Sequence, residues 1–108
     1  MSSKIRIQVA KGADAGRTFE VLKNRSLVVG RGSKSDTKLI DPEISRVHFS
    51  VEYNSGRILV ADLGSSTGTY LNGVRIDRTT EADTGDEIMA GGTRMFLSVV
   101  GRVESDTL

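Results

Sequence analysis

The stretch Val47-His48-Phe49-Ser50-Val51-Glu52-Tyr53, followed by Asn54-Ser55-Gly56 and then Arg57-Ile58-Leu59-Val60-Ala61-Asp62, decides the fold class. Val47, Phe49, Val51 and Tyr53 alternate with polar positions, the period of a strand that buries one face. Asn54-Ser55-Gly56 supplies a tight turn, and the β-formers after it return the chain. On the carboxyl side, Asn72-Gly73 between Tyr70-Leu71 and Val74-Arg75-Ile76 is the strongest short hairpin signal in the sequence. Beyond it, Glu87-Ile88-Met89-Ala90, the Gly91-Gly92 turn and an apolar run from Thr93 to Val100 continue the meander. On the amino side, Ser26-Leu27-Val28-Val29-Gly30 reads as a strand. Before it, Ile5, Ile7 and Val9 pair with Phe19 and Val21 across the turn-rich residues 11–16 in an amino-terminal hairpin. No amphipathic helix longer than a turn interrupts these segments. The pattern predicts an all-β, antiparallel sandwich or barrel of about ten short strands.

The 108 residues suit one hydrophobic core. The domain is expected over residues 4–100, with flexible ends at 1–3 and 101–108. With 37% hydrophobic and 27% charged residues, no window approaches a membrane-spanning length, and the first residues lack the apolar block of a secretory signal. A soluble, cytoplasmic protein is the expectation. Cysteine is absent and His48 is the single histidine, which removes a disulfide framework and leaves no ordinary ligand set for zinc. No metal and no cofactor are expected. A net charge of +1 disfavours counterion-driven binding to nucleic acid or to a membrane surface, yet leaves room for a local cluster of basic residues.

Two short patterns imitate catalytic motifs. Gly64-Ser65-Ser66-Thr67-Gly68 spells the hydrolase elbow, and His48 is available as a base for Ser66. That elbow works on a strained turn from strand into helix, whereas here the chain runs from Gly68 into a hairpin. Gly30-Arg31-Gly32 begins like a dinucleotide loop but lacks its third glycine and its helix. No catalytic residue is assigned, and the protein is not read as an enzyme. What remains is a set of loops richer than connectors require: Arg31 after a strand-ending glycine, Ser45-Arg46 before the strand around Phe49, and Ser65 to Thr69 after Asp62. Loops at one end of a sandwich converge from distant positions, and guanidinium, hydroxyl and backbone N–H groups together suit a phosphoryl group.

Taken in order, Gly30-Arg31, Ser45-Arg46-Val47-His48 and the run from Asp62 to Gly73 resemble the forkhead-associated (FHA) domain. The resemblance implies an eleven-stranded β-sandwich that recognises phosphothreonine in an extended segment through loops at one end, without catalysis. By position it assigns phosphothreonine binding to Arg31, Ser45, Arg46, Ser66, Thr67 and Asn72. Gly30, His48 and Gly68 shape the site. For Asn72 it leaves two roles open, touching the ligand backbone or bracing the loop. Many members carry Asn-Gly-Thr where this chain has Thr67-Gly68-Thr69, so a shorter hydroxyl replaces an amide. The implied role is an adaptor in Ser/Thr kinase signalling, its partner a phosphothreonine-containing protein such as a kinase or a kinase substrate. The alternative is an FHA-fold domain used for phosphate-independent assembly.

Overall fold

The computed structural model describes residues Ser3 to Gly101 as two packed sheets. The strands are β1 (Ser3–Lys11), β2 (Thr18–Leu22), β3 (Arg25–Gly30), β4 (Thr37–Lys38), β5 (Phe49–Asn54), β6 (Arg57–Asp62), β7 (Thr69–Leu71), β8 (Val74–Arg75), β9 (Thr80–Ala82), β10 (Glu87–Ala90) and β11 (Thr93–Gly101). One sheet has the order β2-β1-β11-β10-β7-β8, the other β4-β3-β5-β6-β9. The expected all-β sandwich is what forms. Ser3 pairs with Gly101, so the sheet reaches one residue beyond the expected 4–100 span at each end. The rest of the expected flexible ends, 1–2 and 102–108, lies outside the described residues.

The expected hairpins β1–β2, β5–β6, β7–β8 and β10–β11 are all antiparallel pairs. Asn72 and Gly73 have φ of 51° and 83°, the paired positive values of the two-residue turn their sequence calls for. The continuous meander does not hold, because the chain changes sheet after β2, β6, β8 and β9. Two strands escaped the sequence reading. β4 is two residues long and pairs in parallel with β3, and β9 spans only Thr80–Ala82 at the edge beside β6. Neither is long enough to show a period of two.

Ile5, Ile7 and Val9 of β1, Phe49, Val51 and Tyr53 of β5, Ile58 and Val60 of β6, and Met95 and Leu97 of β11 fill the space between the sheets. Loop residues join them. Leu39 and Ile44 are each 1% exposed, so the connection from β4 to β5 is pinned at both ends of its outward excursion. The alternation expected to begin at Val47 starts at Phe49 instead, because His48 is fully buried beside it and Val47 is half-exposed.

Gly30 ends β3 at the foot of these loops. A Cβ there would stand 2.2 Å from the Arg46 carbonyl oxygen and 2.4 Å from Ser35 Oγ. Arg46 O also accepts from Gly32 N–H at 3.0 Å and from the Ser35 hydroxyl. The close approach of β3 to the 41–48 loop therefore requires glycine. Gly30→Ala is expected to destabilise the fold by about 3 kcal/mol through overpacking against backbone. Urea denaturation checks this: the midpoint should fall with an unchanged slope, and an unchanged midpoint contradicts the packing described.

Candidate phosphate-binding site

Three loops meet at one end of the sandwich: 31–36 after β3, 39–48 between β4 and β5, and 63–68 between β6 and β7. Buried polar groups hold them together. His48, fully buried, receives the Ser45 N–H on Nδ1 at 3.0 Å and lies 2.8 Å from the Gly68 carbonyl through Nε2. An accepting Nδ1 makes Nε2 the ring's donor, so one imidazole joins the loop that carries Ser45 to the loop that carries Ser66. Both ring nitrogens are then committed to backbone. His48 cannot serve as a base for Ser66, and the hydrolase arrangement is absent from the geometry as well as from the local chain path.

Asp62 organises the third loop. Its Oδ2 accepts from the Gly64 and Ser65 N–H groups, each at 3.1 Å, and its Oδ1 accepts from the hydroxyls of Ser65 at 2.5 Å and Thr69 at 2.7 Å. Ser65 Oγ in turn accepts from Gly68 N–H at 2.9 Å. Gly68 has a φ of +92°, so this position needs glycine for conformation, and the Arg75 guanidinium lies over it where a Cβ would meet Nε at 2.8 Å. Asp41 does for the second loop what Asp62 does for the third. It accepts from Glu43 N–H at 2.9 Å and, across to the other sheet, from Gly92 N–H at 2.9 Å and the Thr93 hydroxyl at 2.8 Å.

On this frame the predicted contact residues come together. Arg31 donates its backbone N–H to Ser45 O at 3.0 Å and its Nε to Ile44 O at 2.9 Å, which leaves the terminal guanidinium nitrogens for a ligand. Ser45 Oγ accepts from Ser66 N–H at 3.0 Å and sits 3.1 Å from Ser66 Oγ. Arg46 is exposed beside them and, with Gly32, Ser33, Lys34 and Val47, lines a cleft of about 360 Å³. Among the described residues, Arg31, Lys34 and Arg46 form no ion pair. Thr67 donates its hydroxyl to Glu43 O at 3.3 Å, crossing between loops. Asn72 is placed differently. It lies past the far end of β7, about 10 Å along the strand from Thr69 at ~3.4 Å per residue. There its Oδ1 accepts from Glu87 N–H at 2.9 Å and its N–H donates to Glu87 O at 2.8 Å. Of its two open roles, the structure shows the brace.

The arrangement brings two hydroxyls, a backbone N–H and a guanidinium to the same end of the sandwich. Sequence reasoning passed over Asp41, Asp62 and Arg75. An aspartate two residues before a Gly-Ser pair signals an Asx turn, so Asp62 was legible. Arg75 follows only from the register, which sets it opposite Tyr70, two residues beyond Gly68.

Both aspartates sit below the ordinary carboxylate value of 3.8. Burial is the largest single influence and acts upward, but the hydrogen bonds from Glu43, Thr93 and Gly92 on Asp41, and from Ser65, Thr69 and Gly64 on Asp62, together outweigh it. A folded-state value below the unfolded one means a contribution fully present above the unfolded value and lost as pH falls through the folded ones. Stability is therefore expected to decline below about pH 4, and an Asp41→Asn, Asp62→Asn double variant should begin less stable and decline less steeply over that range. Urea midpoints between about pH 7 and about pH 3 measure it; parallel declines in the two proteins would contradict the assignment.

Comparison with known proteins agrees with the geometry. The family model for the FHA domain matches residues 27–91, which contain all three loops. An FHA domain from Arabidopsis thaliana superimposes with a TM-score of 0.86 over 97% of this chain and 92% of that one, at 28% identity. A solved FHA domain with phosphothreonine-dependent interactions does so with a TM-score of 0.79 over 93% and 99%, at 25% identity. The chain is also 39% identical over 88 residues to the oxoglutarate dehydrogenase inhibitor of Corynebacterium efficiens, covering 81% of this chain and 60% of that protein. The chain thus belongs to the FHA family.

Proposed function

We propose that this domain acts as an adaptor, holding a phosphothreonine segment of a kinase or kinase substrate across the 31–36, 39–48 and 63–68 loops. The observation that carries this reading is the Ser45–Ser66 pair, 3.1 Å apart, beside a guanidinium whose terminal nitrogens have no partner among the described residues. In the proposed complex a phosphate oxygen replaces the contact between the two hydroxyls. Arg31 donates from its terminal nitrogens, and Ser66 N–H turns from Ser45 Oγ to the ligand. Arg46 adds charge at the rim. Thr67, engaged with Glu43 O, serves the loop more than the ligand.

The frame is fixed before the ligand arrives. His48, Asp41 and Asp62 have already ordered the donors, so little loop entropy is lost on binding. Cations without an ion pair among the described residues, set beside a pair of hydroxyls at one end, favour this reading over phosphate-independent assembly, which has no use for them. Selectivity for phosphothreonine over phosphoserine follows if the extra methyl is enclosed, a contribution of about 0.8 kcal/mol or more, or about fourfold.

Calorimetric titration of phosphothreonine peptides, with phosphoserine and unphosphorylated counterparts, tests the assignment. Micromolar binding restricted to phosphothreonine is expected. Hydrogen bonds to a charged group contribute about 1.5–3 kcal/mol each, so Arg31→Ala should weaken binding at least tenfold and Ser45→Ala by less. Equal binding of the unphosphorylated peptide, or an unaffected Arg31→Ala variant, would contradict the reading.

A further inference from the structure

Glu43 carries an exposed carboxylate on the loop that also carries Ser45. Its backbone is fixed at both ends, N–H to Asp41 Oδ1 at 2.9 Å and carbonyl from Thr67 Oγ1 at 3.3 Å. Behind it lies the β10–β11 turn, where a Cβ on Gly91 would come within 3.1 Å of Glu43 Cβ. The side chain is exposed, two residues before Ser45, and forms no ion pair among the described residues. The other acidic groups of these loops are used internally: Asp41 and Asp62 as above, and Asp36 on Val28 N–H at 2.8 Å. Arg31 and Arg46 leave Glu43 unneutralised even though they belong to the same loops. An unpaired carboxylate on a fixed stretch of backbone next to bound phosphate raises the cost of any further negative charge and lowers that of a positive one.

We propose that Glu43 makes this site select phosphothreonine segments carrying lysine or arginine next to the phosphothreonine on the Glu43 side, and reject those carrying aspartate or glutamate there. The proposal rests on phosphothreonine binding at Arg31, Ser45 and Ser66. Thr67 supports it, since its hydroxyl holds the Glu43 carbonyl and so fixes the start of the carboxylate-bearing side chain. The discrimination is electrostatic. At contact distance in water each charge pair is worth about fivefold, so a lysine peptide should bind about 25-fold more tightly than its aspartate counterpart, with the difference shrinking as salt rises.

The test is fluorescence anisotropy with one phosphothreonine peptide bearing Lys, Ala or Asp in turn at each of the three positions before and after the phosphothreonine. Wild type, Glu43→Gln, Glu43→Lys and Arg31→Ala proteins are compared at low and high salt. At one or more positions, wild type should bind Lys more tightly than Ala and Ala more tightly than Asp. Glu43→Gln should flatten that order and Glu43→Lys should reverse it. Arg31→Ala should weaken every peptide. A wild-type preference for Asp, or an order unchanged in Glu43→Gln, overturns the role of Glu43 while leaving phosphothreonine binding intact. Absence of binding by any phosphothreonine peptide overturns both.

Discussion

The buried imidazole of His48, with the Ser45 N–H on one nitrogen and the Gly68 carbonyl on the other, is the contact on which the site depends. It ties its own loop to one 20 residues on in sequence, where the Ser66 N–H to Ser45 Oγ and Thr67 hydroxyl to Glu43 O bonds add to the join. Losing the ring would leave a buried donor and a buried acceptor without partners, each a cost of about 1–3 kcal/mol. The same contact decides the chemistry. A histidine engaged on both sides is unavailable as a base, so it cannot activate the hydroxyl of Ser45 or Ser66.

Asp41 and Asp62 extend that logic outward. Each gathers N–H and hydroxyl donors of a loop around one carboxylate, and Asp41 does so across the two sheets by reaching Gly92 and Thr93. The sandwich therefore supplies more than a platform. Its apolar centre anchors Leu39 and Ile44, its polar rim fixes the loop backbones, and the exposed side chains Arg31, Arg46 and Ser66 are left facing solvent with few internal partners. These side chains stay at the surface because the structural groups beneath them hold the loops in place.

Much of this was legible in the chain. Period-two alternation in β1, β5 and β11 and the Asn72-Gly73 turn are local signals, and they led to the right hairpins. What was not legible depended on distance. β4 and β9 are too short to carry a period, and the changes of sheet after β6 and β8 leave no local mark. His48 was read as a polar position of an alternating strand and, through the resemblance, as shaping the site, but the two loops its ring joins left no local mark. The site residues Arg31, Ser45, Arg46, Ser66 and Thr67 were found through the resemblance, and they do converge. Asn72 shares the motif but sits beyond the other end of β7, because a sequence run of twelve residues from Asp62 to Gly73 crosses the sandwich instead of staying at its loop end.

The most direct measurement is a nuclear magnetic resonance titration of the labelled domain with a phosphothreonine peptide, following the backbone amides. If the loops are a preformed phosphate cradle, the largest shifts should fall on Arg31, Ser45, Arg46, Ser66 and Thr67, with Ser66 moving as its N–H leaves Ser45 Oγ. Asn72 and the outer strands should stay still. Shifts centred on a sheet face, with these loop amides unmoved, would contradict the central claim.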